Sequence, residues 1–303
     1  MKLFIPDKVF INPVSMEYEV GRFAREQLEK LNVPIVEGRR VLIEGEFSLS
    51  SSCPGHCEYC YLQTTQGEKP YMKVFVNIEE ILAVIQKHID ENLPNIMYFE
   101  CGSITDPIAL EHLTGNLKRC VEFFAHSENG RLRIVTKYNN IDSFLDINHN
   151  NHTKFRFSIN TRYIIKKFEH NTSSFEERIE AARKISKAGY PLGFIIAPIM
   201  IYDNWQKDYR ELLDKLKSEL EGYEEKITFE LIQHRFTNTA KELILKRFPK
   251  TELDLNEENR QLKWGPYGKF KHVYPKEKSN EIRDYISQII NENFLNAEIE
   301  YFT

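Results

Sequence analysis

The sequence predicts an α/β fold built on a parallel sheet, and three observations predict it. Short apolar runs alternate with amphipathic helical stretches from residue 41 to about residue 248, the pattern of repeated strand–helix units. A chain of 303 residues suits one large α/β barrel or two ordinary domains, and a hydrophobic content of 41% can fill such a core. The residues that end the strands are polar and varied, as expected where ligands gather at the carboxyl ends of parallel strands.

Residues 1–40 combine a short apolar start with an amphipathic stretch from Tyr18 to Leu31 and read as an N-terminal cap. Residues 41–49 read as a buried strand that runs into a loop carrying Cys53, Cys57 and Cys60. Asn77 is placed to cap a helix from Ile78 to Glu91, whose Ile81, Leu82, Val84, Ile85 and Ile89 keep helical spacing. A strand from Ile96 to Glu100 leads through the loop Cys101 to Pro107 into a helix from Ile108 to about Phe124. The strand Leu132 to Thr136 ends at Lys137 and precedes a helical turn at residues 143–146. The strand Phe155 to Asn160 is followed by a helix from Ser174 to Lys187, with Ser174 and Glu177 spaced as a capping box. Two further pairs follow, Leu192 to Pro198 with a helix near 204–220, and Ile227 to Gln233 with a helix near 239–248. About six units result, enough for an open doubly wound sheet or a partial barrel.

Residues 236–303 break the alternation, so the expected division is 1–40, 41–235 and 236–303. From Asn259 to Lys276 there are five Lys or Arg and no Asp or Glu, interleaved with Trp264, Tyr267, Phe270 and Tyr274. The turn Gly265-Pro-Tyr-Gly268 inside it predicts a β-hairpin running from about Leu262 to Tyr274. A final helix near 280–291 leads to a last strand, Ala297 to Phe302.

A formal net charge of −4 gives no global signal for nucleic acid, so such a partner must be met by a local basic patch. Five cysteines, an odd number, argue against a disulfide framework and for a reducing compartment. The N-terminus lacks the apolar core of a signal peptide and no run approaches the ~20 apolar residues of a membrane span, so a soluble, cytoplasmic protein is expected.

Cys53-Pro-Gly-His-Cys57-Glu-Tyr-Cys60 packs three thiols into eight residues. Deprotonated sulfur is a strong ligand for iron–sulfur clusters and for zinc. One loop with these gaps can wrap three corners of a cubane and leave the fourth iron open. The competing reading is a structural zinc with His56 or a distant residue as fourth ligand. Cys101 and Cys120 lie far along the chain, and Cys120, among Leu117, Val121 and Phe124, reads as core.

The three-then-two cysteine spacing, with aromatic Tyr59 between the last two, resembles the radical S-adenosylmethionine superfamily. The resemblance narrows to the spore photoproduct lyase family through Cys53 to Thr65, Glu111-His-Leu-Thr114, Gly130 to Lys137, Phe155 to Asn160, Ala188 to Ile195, Phe229 to Phe236 and Ile299 to Thr303. It implies a partial (β/α)6 barrel of TIM type with a C-terminal α+β extension carrying a hairpin. It implies a [4Fe–4S] cluster on Cys53, Cys57 and Cys60, and S-adenosylmethionine on the open iron, contacted by Tyr59, Ser103, Lys137, Ser158 and Ala197. Tyr59 and Tyr61 would line the radical site, although both residues could equally be packing aromatics. The implied partners are DNA bearing a thymine dimer lesion and an electron donor such as flavodoxin or ferredoxin. Bound by His234, Arg235, Lys263, Lys269 and Lys271, with Tyr267 as a wedge, the duplex would yield its lesion by base flipping.

The departure from the family that matters most is at one position. Ungapped alignment puts Ser103 where the family carries the cysteine that returns a hydrogen atom. An O–H bond is much stronger than an S–H bond, so Ser103 cannot take over that role. Cys101, two residues upstream and on the same side of an extended strand, is the expected donor unless it is a buried small hydrophobe. Failing Cys101, Tyr59 or Tyr61 could donate directly. Two rival functions remain: a family relative acting on another nucleic-acid or small-molecule substrate, and a zinc-stabilised DNA-binding protein without catalysis.

Overall fold

The computed structural model describes residues 9–12, 45–64, 72–102, 105–264 and 270–303. The amphipathic stretch Tyr18 to Leu31 and the first part of the strand 41–49 lie outside the described residues. The central parallel sheet has seven strands in the order β14-β11-β10-β8-β7-β6-β2, and closure into a barrel is not detected among the described residues. These strands are β2 (Glu46–Phe47), β6 (Met97–Cys101), β7 (Gly130–Thr136), β8 (Thr153–Ile159), β10 (Leu192–Ile199), β11 (Ile227–Gln233) and β14 (Ala297–Phe302). Nearly every residue of β8 and β10 is buried, as parallel strands covered on both faces require.

Contacts divide the chain into two compact units, one of residues 1–54, 68–157 and 180–192, the other of 55–67, 158–179 and 193–303. This division differs from the boundaries at residues 40 and 235 that composition suggests.

In the first unit β2 pairs with β6, and β6 with β7, all parallel. Helices α1 (Ile78–Glu91), α2 (Glu111–Thr114) and α3 (Asn116–His126) accompany them. Phe124 of α3 packs on Phe47 and Phe99, with ring centroids 6.5 and 5.5 Å away. Strand β5 (Met72–Phe75) pairs parallel with β1 (Val9–Asn12) and antiparallel with β3 (Ser50–Ser51). The single helix expected over 108–124 is two helices, because Gly115 turns left-handed at φ 62°. The Glu111 carboxylate then caps α3, accepting from the backbone N–H of Leu117 at 2.9 Å and Lys118 at 3.0 Å. Asn77 does not cap α1 with its side chain, which donates to Glu80 instead.

In the second unit β14 pairs parallel with β11, so the last strand extends the sheet. Pairing covers the β11 edge, which would otherwise expose a row of unmet backbone groups. Helices α4 (Arg162–Phe168), α5 (Phe175–Lys187), α6 (Trp205–Glu219), α7 (Asn238–Arg247) and α8 (Lys276–Asn293) complete it. The capping box at α5 forms as expected, with Ser174 N–H donating to Glu177 at 2.7 Å and Glu177 N–H to Ser174 at 3.3 Å. Helix α4, absent from the sequence reading, starts at Thr161, whose hydroxyl accepts from Ile164 N–H. The hairpin is β12 (Gln261–Trp264) against β13 (Phe270–Val273), antiparallel. No helix among the described residues is long and apolar enough to cross a membrane.

Glu111→Ala removes both acceptors at the start of α3 and is expected to cost about 1–2 kcal/mol of stability, read from urea unfolding midpoints.

Candidate active site

The cysteine loop follows β3; Cys57 is buried, while Cys53 and Cys60 are half-buried. No three His, Cys, Asp or Glu side chains among the described residues gather closely enough to hold a single metal ion. The fit to a cluster therefore rests on the donor set: three soft thiol ligands within one eight-residue loop.

Two sets of buried polar contacts hold the loop. In the first unit, Thr105 hydrogen-bonds Ser50 Oγ at 3.1 Å and donates to the Ser52 carbonyl, next to Cys53. Beside it the Asp106 carboxylate accepts from Thr136 Oγ1 at 2.8 Å, Lys137 N–H at 2.7 Å and Ile108 N–H at 3.1 Å. Asp106 thus ties the carboxyl end of β7 to the loop after β6, and sets where the Lys137 side chain starts. Burial pushes its carboxyl up to about 6 against the backbone and hydroxyl donors that favour the charged form. Sequence reasoning missed Asp106; its only signal was an acid beside a proline in a loop at a strand end.

In the second unit, strand β4 (His56–Cys57) pairs antiparallel with β9 (Glu169–His170), His56 opposite His170 and Cys57 opposite Glu169. Glu58 N–H donates to the Phe168 carbonyl at 2.9 Å, and the Glu58 carboxylate takes His170 at 2.7 Å and the Thr251 hydroxyl. Tyr59 donates its hydroxyl to Glu169, which is itself ion-paired to Arg178 at 2.5 Å. Burial, then the neighbouring Glu169 charge, pushes the Tyr59 phenol well above the usual tyrosine range. Tyr61, first residue of a 3₁₀ turn over Tyr61–Thr64, is 62% exposed. Lys137 is half-buried, Ser158 is buried with its carbonyl accepting from Arg178, and Ala197 is half-buried on β10.

The family model for spore photoproduct lyase matches residues 42–303. The chain belongs to the spore photoproduct lyase family. Spore photoproduct lyase of Bacillus subtilis is 42% identical, with 99% of each chain covered, and that of Clostridium acetobutylicum 38%, with 97% and 98% covered. A solved spore photoproduct lyase variant with bound AdoMet and dinucleoside spore photoproduct superposes with a TM-score of 0.88 at 41% identity, both chains fully covered. SuiB of Streptococcus suis, bound to S-adenosylmethionine, shares the fold alone, with a TM-score of 0.51 at 12% identity over 93% of this chain and 54% of that one.

Against the lyase expectations, Cys101 is corrected. It ends β6 on the same side as Phe99, in the core between sheet and helices, and is 0% exposed. Alternation along a strand puts Glu100 on the opposite face, where it pairs with Arg156. Burial pushes the Cys101 thiol far up. The next residue has to be glycine: Gly102 adopts φ +105°, and a Cβ there would meet Pro107 Cδ at 2.6 Å. Cys120 is core as expected. Ser103, Tyr267 and Lys269 lie outside the described residues.

His234 is also corrected: it is 2% exposed under Arg260, which donates to its carbonyl at 3.1 Å and lies 3.3 Å from its Nδ1. Burial and the Arg260 charge push it down to about 3, so it stays neutral and out of reach of a phosphate. Arg235 is half-buried and donates to the Thr303 hydroxyl at 2.8 Å. Lys263 and Lys271 stand directly opposite each other on β12 and β13. Burial, then the charges of Arg235 and Lys263, lower Lys271.

Asp106 titrates higher folded than its ordinary 3.8, so its contribution is full below about pH 4 and fades as pH rises through about 6. Asp106→Asn is expected to flatten the dependence of thermal midpoint on pH between those values; an unchanged slope would show that Asp106 does not titrate there.

Proposed function

We propose that the chain is a radical S-adenosylmethionine lyase that reverts spore photoproduct, 5-thyminyl-5,6-dihydrothymine, to two thymines in DNA. The observation that carries this reading is the loop of Cys53, Cys57 and Cys60 in a chain matched to the family from residue 42 to 303. Cys53, Cys57 and Cys60 would hold a [4Fe–4S] cluster, which together with S-adenosylmethionine would supply the radical chemistry that abstracts a hydrogen atom from the lesion. Lys137 would offer its ammonium to the cofactor carboxylate, and Ser158 and Ala197, on β8 and β10, would contact the cofactor. The reducing electron comes from a flavodoxin or ferredoxin, and the protein works in the cytoplasm.

The hydrogen that completes repair comes from Tyr61. Ser103 has too strong an O–H bond, Cys101 lies in the sheet–helix core, and the Tyr59 hydroxyl is committed to Glu169. Tyr61 is the exposed phenol beside a cluster cysteine.

The hairpin supplies the DNA contact. Like charges directly opposite on a two-stranded ladder are unfavourable in the free protein, so Lys263 and Lys271 favour a phosphate partner. Leu262, Trp264 and Phe270 stand exposed on the other face of the ribbon, apolar surface suited to bases displaced from the stack.

Reconstituted anaerobically with dithionite, S-adenosylmethionine and dinucleoside spore photoproduct, the protein is expected to release two thymines. Cleavage of S-adenosylmethionine without thymine would favour the rival substrate reading that Ser103 suggests; colourless, iron-free protein would sink both enzyme readings. Tyr61→Phe is expected to lower repair at least tenfold while S-adenosylmethionine cleavage continues, and Cys101→Ala to leave repair near that of the parent. Replacing Lys263 and Lys271 with Ala together is expected to reduce the salt slope of duplex binding by about 2 in log–log units.

A further inference from the structure

The geometry points to Glu169, clamped by Arg178, as the positioning residue that fixes the second half of the cluster loop, with Tyr59 as the arm through which it acts. This rests on the reading of Cys57 and Cys60 as cluster ligands.

Glu169 meets the loop twice. Its backbone pairs with Cys57 in the β4–β9 ladder, and its carboxylate accepts the Tyr59 hydroxyl, the residue before Cys60. Cys60 N–H in turn donates to the Cys57 carbonyl at 3.1 Å, closing the turn between the two thiols. Both side chains of the Glu169–Arg178 pair are 0% exposed. Arg178 spends its remaining donors on three separate places: the Ser173 carbonyl at 2.9 Å, the Ser158 carbonyl at 3.0 Å and the Thr172 hydroxyl at 2.8 Å. One guanidinium thereby fixes the end of β8, the start of α5 and, through Glu169, the cysteine loop.

A buried ion pair is a poor way to gain stability, since well-packed apolar residues of similar volume often do as well or better. Its use here has a different rationale. An apolar pair would leave the Tyr59 hydroxyl without its acceptor and the loop without a fixed depth, whereas a carboxylate held on a planar fork accepts from one direction.

The test reads the cluster rather than repair. Tyr59→Phe deletes one oxygen and keeps the ring, and the cluster-free variant is expected to melt near the parent. Loaded with iron and sulfide, it is expected to lose iron to a chelator about tenfold faster, the effect of losing one hydrogen bond to a charged group. The electron paramagnetic resonance signal of its reduced cluster should broaden. Glu169→Gln, which leaves Arg178 without its charge partner, should release iron faster still, and Glu169→Asp should fall between it and the parent. Iron loss and signal identical to the parent in Tyr59→Phe would overturn the proposal, even if Glu169→Gln fails to fold. A Glu169→Gln protein that melts earlier yet releases iron at the parental rate would also overturn it, leaving the pair as core structure. A protein that keeps its cluster but repairs nothing would overturn the lyase reading alone.

Discussion

The buried ion pair of Glu169 and Arg178 is the constraint on which the second unit depends. Burying two charges is costly, and the cost is offset in part by the further hydrogen bonds that both groups make. Arg178 meets backbone and hydroxyl oxygens on two segments, at Ser158 and at Thr172 and Ser173, and Glu169 accepts from Tyr59. What the arrangement supplies is position: a strand end, a helix start and a cysteine loop are fixed by one guanidinium.

A second buried carboxylate does the corresponding work in the first unit. Asp106 gathers donors from the end of β7 and from its own loop, while Thr105 reaches Ser50 and Ser52 just before Cys53. Each half of the cysteine loop is thus anchored to a strand end by side-chain hydrogen bonds rather than by apolar packing. Directional contacts fix the path of such a loop, because hydrophobic contact holds area but not direction.

The distribution of charge follows the same division of labour. Arginines that build the scaffold, Arg156, Arg178 and Arg260, have buried side chains facing carboxylates or carbonyl oxygens. Lysines on the hairpin stand opposite each other across the ladder, while on the ribbon's other face Trp264 and Phe270 pack edge to face at 4.8 Å.

Local pattern determined much of this protein. Strand–helix alternation, the capping box at Ser174 and Glu177, the hairpin and the cysteine spacing are all short-range signals, carried by residues within a few positions of one another. The family likewise was legible, because its motifs are contiguous stretches. What tertiary structure alone decided is which side chains those stretches turn inward and which distant groups they meet. His234 reads as a rim cation but is buried beneath Arg260, and Cys101 reads as a donor but shares the core face with Phe99. Tyr59 reads as a radical-site phenol, and only folding reveals that its hydroxyl belongs to Glu169, 110 positions away. The physical reason is that burial and hydrogen-bond partnership depend on contacts between residues far apart in the chain, whereas periodicity and spacing report only on neighbours.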